Sequence, residues 1–398
     1  MVWNGNLPKL VTFSVNLFIT ITRFWLGNSD VISLENNFMK NLTKIQLAVF
    51  SFAIPLFSCK VAEKHHDDFH LIDTSGLQEL VGREISTIDS SCYYDGMVID
   101  STLLLIDGCN DYFLYGFEPG QFGPIVETGL TGQGPGDFIS MPFFSRSNEE
   151  SKLTVWDPSG FLKEAEITRA DLTFSESKHL SIEFRGAKTV AKSGNRVYAS
   201  KHRSSKGVVL YHQEGEDGVH WIVPPDYIKA HLDNFVSGEE LTQPLADNNF
   251  EVGEADQFLA VGMKYYNSLF FINNEGQVLK SFLIAGQQGQ DNLIVPKAAP
   301  EDEFLPEESS VFVYDSYATD RFLYFLSYGG SSLYNFQNHY DYGNPHLLIF
   351  DREMNYVEGF SLDRMLGFIC VSADDKRLFG GALESDGITT MVEYELGL

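Results

Sequence analysis

Side chains that could do chemistry are few in this sequence and form no familiar catalytic pattern. No Gly-x-Ser-x-Gly, His-Glu-x-x-His or Cys-x-x-Cys motif is present. Carboxylate oxygens could hold Ca²⁺ if several acids converged, but acids at the turns between strands give the same pattern. We predict no catalytic residue and no dedicated metal site. The acids in question lie within or beside β-rich segments, namely Asp95, Asp107, Asp157 and Asp315.

A glycine-rich stretch, GQGPGDFISMP (132–142), could either cradle a phosphate or turn a corner. No lysine follows the glycines, and Pro135 lacks the backbone N–H that a phosphate nest would need. Glycines also permit the positive φ angles and close backbone approach that a corner between two structural units requires. The corner is favoured, with Phe138 as a plug between the units and Pro142 at the start of the next strand.

Composition and charge limit the class of partner. The chain has 398 residues, of which 43% are hydrophobic and 14% aromatic, so it can bury a large core. Its formal charge of −27 opposes binding to nucleic acid and to anionic membrane surfaces. We expect a monomer whose partner is neutral, cationic or bridged by a metal ion.

The N-terminal region contains a targeting signal. MKNLTKIQLAVFSFAIPLFSC (39–59) places two lysines before a short apolar run that ends in a cysteine, an order typical of secretion. It resembles a bacterial lipoprotein signal, in which Cys59 would be lipidated; ordinary cleavage or a retained anchor are the alternatives. We predict a non-native extension (1–38) before a true start at Met39, a signal peptide (39–58) and a polar tether (59–69). The tether's paired histidines, His65 and His66, could bind a metal, but a solvated linker is favoured.

From residue 90 onward, one pattern recurs six times: a polar turn followed by short β-rich runs. Its first run occurs as STLLLID (101–107), SKLTVWD (151–157), NRVYASK (195–201), DQFLAVG (256–262), DRFLYFLS (320–327) and DKRLFGGA (375–382). Units averaging roughly 50 residues predict an all-β, six-bladed β-propeller of four-stranded antiparallel blades over 70–398. The last unit is one strand short. GREISTI (82–88) could supply that strand beside 388–396 and close the ring.

The corner carries a family resemblance. GQGPGDFISMP followed by LTVWD resembles the NHL-type propeller repeat, in which a Gly-x-Gly-x-Gly-x-Phe-x-x-Pro corner precedes a strand that ends in Asp. Residues 70–398 behind a lipoprotein signal are similar to the six-bladed, TolB-like propeller lipoproteins of Gram-negative envelopes. The resemblance implies a lipid-anchored outer-membrane protein that faces the periplasm or the outside. It implies no settled activity, because the fold hosts binders, scaffolds, lyases and lactonases.

One face of such a propeller collects the crossovers between blades and the loops between second and third strands. We call it the loop-rich face, and it receives the glycine-rich corner and the long segments 225–247, 285–308 and 328–345. Aromatic residues of the last segment could stack on a sugar or grip a peptide, or could pack on their own blade. These ligand-binding candidates are Tyr328, Tyr334, Phe336, His339, Tyr340 and Tyr342. KYYNS (264–268) is a weaker candidate on the same face.

These patterns favour an envelope-anchored binding or scaffold module whose ligand is a protein, a peptide or a glycan. No nucleic acid partner is expected, and the only membrane contact would be the lipid anchor. The alternative is a metal-dependent enzyme of lyase or lactonase type, with its site and a Ca²⁺ ion in the central channel.

Cysteine spacing predicts a disulfide. With Cys59 assigned to lipid, an oxidising envelope leaves Cys92, Cys109 and Cys370. CYYDGMVIDSTLLLIDGC (92–109) reads as two strands that meet at a two-residue turn, Asp100-Ser101, and this register places Cys92 opposite Cys109. A bulge or a longer turn would break the register. We expect Cys370 to be a buried thiol.

Overall fold

The computed structural model describes residues 69–85, 91–118, 123–132, 134, 137–147, 153–168, 171–201, 207–222, 248–253, 257–285, 310–332, 344–383 and 389–398. Residues 1–68 lie outside this description. Strands are numbered β1 to β27 in chain order. Three short strands precede the first blade, namely β1 (His70–Ile72), β2 (Gln78–Leu80) and β3 (Arg83–Glu84).

Blades one to three are antiparallel sheets that each begin with their innermost strand. Blade one contains β4 (Tyr93–Ile99), β5 (Thr102–Asp107), β6 (Leu114–Phe117) and β7 (Val126–Thr128). Blade two contains β8 (Phe143–Phe144), β10 (Leu153–Asp157), β11 (Phe161–Thr168) and β12 (Asp171–His179). Blade three contains β13 (Ala187–Ser193), β14 (Arg196–Lys201), β15 (Val209–Gln213) and β16 (His220–Ile222). Two further elements join blades two and three: β9 (Arg146–Ser147), which pairs in parallel with β13, and a 3₁₀ turn (Ile182–Phe184).

Blades four to six repeat the same order. Blade four contains β17 (Asn249–Val252), β18 (Leu259–Gly262), β19 (Ser268–Ile272) and β20 (Val278–Ile284). Blade five contains β21 (Ser310–Ala318), β22 (Phe322–Ser332), β23 (His346–Asp351) and β24 (Tyr356–Leu362). Blade six contains β25 (Leu366–Val371), β26 (Arg377–Leu383) and β27 (Thr389–Glu395), and β3 adds its fourth strand. In the described part of the chain, no helix is long and apolar enough to cross a membrane.

The six innermost strands contact one another in order around the ring, and β25 of blade six contacts β4 of blade one. The predicted six-bladed β-propeller is therefore confirmed. Middle strands lie between two neighbouring blades and are buried on both faces, so they read as continuous apolar runs rather than alternating ones. Leu103, Leu104, Leu105 and Ile106 of β5 are all buried for this reason.

Closure of the ring also follows the prediction. Arg83 and Glu84 of β3 pair with Glu393 and Val392 of β27, and the N–H of Ile85 donates to the carbonyl of Met391 at 2.9 Å. Within the predicted strand 82–88, the residues beyond Ile85 that precede blade one lie outside the described residues.

The segment before β3 has a role that the sequence pattern did not indicate. β1 pairs in parallel with β20, the outermost strand of blade four, and β2 pairs in parallel with β24, the outermost strand of blade five. Residues 70–85, which we call the N-terminal strap, thus cover the outer edges of blades four, five and six in succession. Ile72 is buried against blade four, and burying such a side chain contributes about 1.5–3 kcal/mol.

Candidate functional site

The loop-rich face contains most of the predicted site. In the described chain it is formed by the described residues of the crossovers 129–142, 180–186 and 363–365 and by the second-to-third connections 108–113, 158–160 and 263–267. Successive antiparallel strands reverse direction, so these connections all emerge on one side of the ring. The opposite side receives the first-to-second and third-to-fourth turns.

The glycine-rich corner joins blade one to blade two, as predicted, and Phe138 is its plug. The N–H of Phe138 donates to the carbonyl of Leu130 at 2.8 Å, and the N–H of Gly132 donates to the carbonyl of Phe138 at 3.1 Å. The Phe138 ring is fully buried and makes edge-to-face contacts with Phe113 and Phe174. Phe138 is consequently part of the core, and hydrogen bonds tie it to Leu130 and Gly132.

A carboxylate of the corner itself accepts a backbone N–H group of the kind that a bound phosphate would have needed. The Asp137 carboxylate accepts the N–H of Gly134 at 2.8 Å and lies where a side chain on Gly132 would stand. The ammonium of Lys163 donates to the carbonyl of Asp137 and lies 4.8 Å from the centre of the Phe138 ring. Burial lowers the pKa of Lys163, although the nearby carboxylates oppose that shift. These contacts fix the corner's backbone from both sides.

The same corner presents apolar side chains to solvent on the loop-rich face. Leu130 is 46% exposed, Ile139 is 53% exposed and Met141 is 43% exposed. They flank the buried Phe138, so the corner hides one large ring and displays three aliphatic groups. Sequence reasoning missed this feature, although the alternation of Phe138 inward and Ile139 outward was a usable signal.

Two of the acids considered as Ca²⁺ ligands accept hydrogen bonds at equivalent turns. Asp107 ends the second strand of blade one and accepts the N–H groups of Cys92 and Cys109 at 3.0 and 2.8 Å. Asp157 ends the second strand of blade two and accepts from the N–H of Ile139 and from the hydroxyl of Ser140. Burial raises the pKa of Asp157, but its hydrogen bonds, including those from Ser159, outweigh burial and hold it below its usual value.

The other two acids lie on innermost strands and connect neighbouring blades. Asp95 accepts the N–H of Phe144 in blade two, and Asp315 accepts the N–H of Ile369 in blade six, both at 2.7 Å. No group of three or more histidine, cysteine or acidic side chains that could hold a metal ion occurs in the described ranges. A Ca²⁺ ion on these four acids would have to compete with their existing hydrogen bonds.

The aromatic candidates separate into two groups. Tyr328 is 1% exposed, its hydroxyl donates to the carbonyl of Leu366 and accepts from the N–H of Leu366 at 3.0 Å, and its ring meets Tyr314 edge-on. It therefore packs between blades five and six, which corrects its assignment as an exposed ligand-binding residue. The remaining candidates fall outside the described residues, namely Tyr334, Phe336, His339, Tyr340 and Tyr342.

The weaker candidate, KYYNS, also belongs mainly to the core. Tyr265 and Tyr266 are buried in the main apolar cluster, and burial raises the pKa of Tyr266. Lys264 lies with its ammonium 5.2 Å from the centre of the Tyr314 ring. Packing between blades four and five explains this segment without a ligand.

The predicted disulfide is present, although the hairpin register is not the one expected. Ile99 faces Thr102 and Asp95 faces Ile106, as a two-residue turn requires, but a bulge next to Asp95 shifts the pairing to Tyr93 with Asp107. Cys92 and Cys109 are bonded nevertheless, with Cα atoms 5.4 Å apart. Because Asp107 accepts both cysteine N–H groups, its carboxylate compensates for the lost register. Cys370 is buried and forms no disulfide, as expected.

A side chain from blade five reaches blade one, two blades away along the ring. The Tyr317 hydroxyl accepts a hydrogen bond from the N–H of Val98 at 3.2 Å and lies 3.4 Å from the carbonyl of Val98. These contacts connect β21 of blade five directly to β4 of blade one, although blade six lies between them in the ring. This contact is near the ends of both strands, at the side opposite the loop-rich face.

Solved structures share this architecture. A member of the DUF4221 family from Bacteroides vulgatus superposes with a TM-score of 0.50 at 9% identity, covering 80% of this chain and 96% of that one. The likeness shows the β-propeller fold. A candidate exported protein of Bacteroides fragilis has a TM-score of 0.47 at 10% identity, covering 82% of this chain and 99% of that one. The WD40 repeats of RRP9 have a TM-score of 0.48 at 10% identity, covering 80% of this chain and 99% of that one. No protein-family model and no curated protein matches the sequence.

Proposed function

We propose that this protein is an exported binding or scaffold module that holds a polypeptide ligand on its loop-rich face. The observation that carries the proposal is the exposure of Leu130, Ile139 and Met141 around Phe138, which is buried and hydrogen-bonded to Leu130 and Gly132. Aliphatic groups held on a rigid scaffold are typical of the anchors of protein interfaces, because little conformational entropy is lost on binding.

Export is supported by the sequence and by the disulfide. The lysines, apolar run and cysteine of residues 39–59 form a secretory signal, and the bond between Cys92 and Cys109 suits an oxidising compartment. Within this proposal, Cys59 carries lipid and anchors the propeller at the outer membrane. Kinship with TolB-like or NHL-type propeller lipoproteins is part of the same proposal.

The aromatic segment extends the proposed site. Tyr334, Phe336, His339, Tyr340 and Tyr342 belong to the connection between β22 and β23, which starts and ends on the loop-rich face. Their rings suit a peptide and could also stack on a glycan. Tyr328 is excluded from this set because it is buried.

A capture experiment with matched variants tests the function. Purified propeller would be incubated with envelope extract, and bound material compared between the wild type and the triple variant L130S, I139S and M141S. We expect the variant to lose its specific partner while its thermal unfolding is unchanged. The control is L279S with V357S, since both side chains are equally exposed on outermost strands.

Two results would contradict the proposal: equal capture by the wild type and the corner variant, or equal loss in the control. A second variant, in which residues 333–343 are replaced by a glycine-serine linker, tests the aromatic segment. It leaves Tyr328 in place, so loss of capture would not arise from loss of packing.

A further inference from the structure

One segment of this acidic chain is basic. Residues 178–201 contain six lysine or arginine residues and one acid, a net formal charge of +5 in a chain whose total is −27. The segment comprises the end of β12, the crossover from blade two to blade three and the first hairpin of blade three. Lys178, Arg185 and Lys188 lie at the loop-rich end of this segment, where positive charge favours an anionic partner. Lys192 and Arg196 lie at its opposite end.

At the end of blade two, a histidine lies beside an arginine of this segment. The nearest side-chain nitrogens of His179 and Arg185 lie 3.6 and 3.5 Å from the point where a Cβ on Gly160 would stand, so imidazole and guanidinium converge over one turn. Both side chains are exposed, and no carboxylate among the described residues forms an ion pair with either of them. Lys188, near the start of β13, is also exposed.

β12, the strand beside these basic side chains, lies at the outer edge of its sheet. The equivalent outer edges of blades four and five are each paired with a strand of the strap. In blades four and five, the strap pairs in parallel with the last three residues of the outermost strand, Phe282–Ile284 and Phe360–Leu362. In both blades these residues follow a bulge. The outermost strand of blade two, β12, also has a bulge, and its last three residues are 177–179. No described strand pairs with that edge.

The two kinds of edge differ in side chains. Phe282 and Ile284 are buried beneath the strap, whereas Ser177, Lys178 and His179 are all exposed. Lys178 forms a surface ion pair with Glu214 at 3.1 Å. An occupant of this edge would therefore gain main-chain hydrogen bonds and opposite charge rather than apolar burial.

We propose that the edge of β12 binds an extended acidic segment of a partner polypeptide. The segment runs parallel to β12, as β1 and β2 run parallel to β20 and β24, and places carboxylates against Arg185 and His179. The open edge favours a polypeptide, because an added strand needs backbone donors and acceptors. The basic side chains beside it favour a polypeptide that is acidic. This site uses other residues than the exposed apolar side chains of the corner, although Phe138 of the corner contacts Phe174 of β12, and the inference does not depend on the proposed function.

The test uses a short synthetic peptide in which glutamate alternates with threonine, labelled for fluorescence anisotropy, with the intact propeller. We expect saturable binding that weakens as salt rises, together with slower amide hydrogen exchange across 171–179. The double variant R185E and K188E should weaken binding by roughly tenfold or more. The control K376E, on an exposed lysine of blade six, should leave binding unchanged.

Several outcomes would overturn the inference: no binding, equal binding of a peptide with lysine in place of glutamate, or binding without added protection in 171–179. Heparin serves as a competing polyanion. If heparin bound as tightly as the peptide and displaced it with no change in exchange along β12, the surface would be a general polyanion site and the strand-pairing proposal would be wrong.

Discussion

The Asp95 carboxylate accepts the backbone N–H of Phe144 at 2.7 Å and so joins the innermost strand of blade one to that of blade two. Asp315 makes the same bond to Ile369, from blade five to blade six. Both acids lie next to a bulge in their strand. A bulge re-aims a side chain, and here it directs each carboxylate at the neighbouring blade.

Removing this bond should destabilise the ring. Asp95 is 5% exposed and also accepts the N–H of Gly96, so Asp95→Ala leaves buried donors without this acceptor. We expect the free energy of unfolding to fall by about 1–3 kcal/mol, and Asp95→Asn to cost less because its amide oxygen still accepts. Urea unfolding measures both.

Removal of metal is a separate test of the four acids. EDTA should leave the unfolding midpoint unchanged, whereas a midpoint that rises with added Ca²⁺ would indicate a calcium site on these acids.

The glycine-rich corner predicts a graded response to substitution. Phe138→Ala should lower the free energy of unfolding by about 3–5 kcal/mol, since the ring is fully buried. Gly129 has φ of +82°, and a Cβ there would lie 2.9 Å from the Phe138 ring. Gly123 has φ of +85° with no neighbour within 4 Å, so Gly123→Ala measures the backbone strain alone. Gly129→Ala should be the more damaging of the two, and equal losses would show that the ring yields.

The disulfide should stabilise the fold by about 3 kcal/mol, given its sequence separation of 17 residues. Cys92→Ser with Cys109→Ser removes this contribution, and urea unfolding with and without reductant measures it. Cys370 should resist alkylation until the protein unfolds, because it is buried. Peptide mapping without reduction checks the pairing, and recovery of alkylated Cys92 from exported protein would contradict it.

Truncations at the N-terminus should separate the tether from the strap. Removing residues up to 68 leaves β1–β3 intact and should not change the unfolding midpoint. Removing residues up to 81 deletes β1 and β2 and exposes the edges of blades four and five. Removing residues through Ile85 also deletes β3, the fourth strand of blade six. The unfolding midpoint should therefore be lowered by the first truncation and lowered further by the second. Hydrogen exchange should rise first in β20 and β24. An unchanged midpoint for the longest truncation would refute closure of the ring by β3.

His346 predicts a pH dependence. Burial lowers its pKa below the ordinary 6.5, and among the described residues its Nδ1 has no hydrogen-bond partner. Below pH 6.5 the histidine is protonated in the unfolded chain but still neutral in the folded protein. The free energy of unfolding should therefore decrease as the pH is lowered from 6.5 to the pKa of the folded protein. His346→Gln should flatten unfolding free energy against pH in that window. A slope identical to the wild type would assign the effect to other groups.

The sequence by itself determined the number of blades, their order along the chain and the corner between blades one and two. Repetition of polar turns and β-rich runs reports local structure, and Phe138 was recognisable because glycines and prolines surround it. The pairing of Cys92 with Cys109 was also predicted, but its geometric basis was only partly right, since a bulge shifts the hairpin and Asp107 restores the contact.

Only the tertiary structure decided what each side chain does between blades. Tyr328 reads as a loop aromatic, yet blade six covers it, and Asp315 reads as a channel acid, yet its partner is the backbone of Ile369. The strap over blades four and five and the open edge of β12 were equally hidden. Such contacts join residues far apart in the chain, and periodicity, which reports only near neighbours, contains no information about which strands meet when the ring closes.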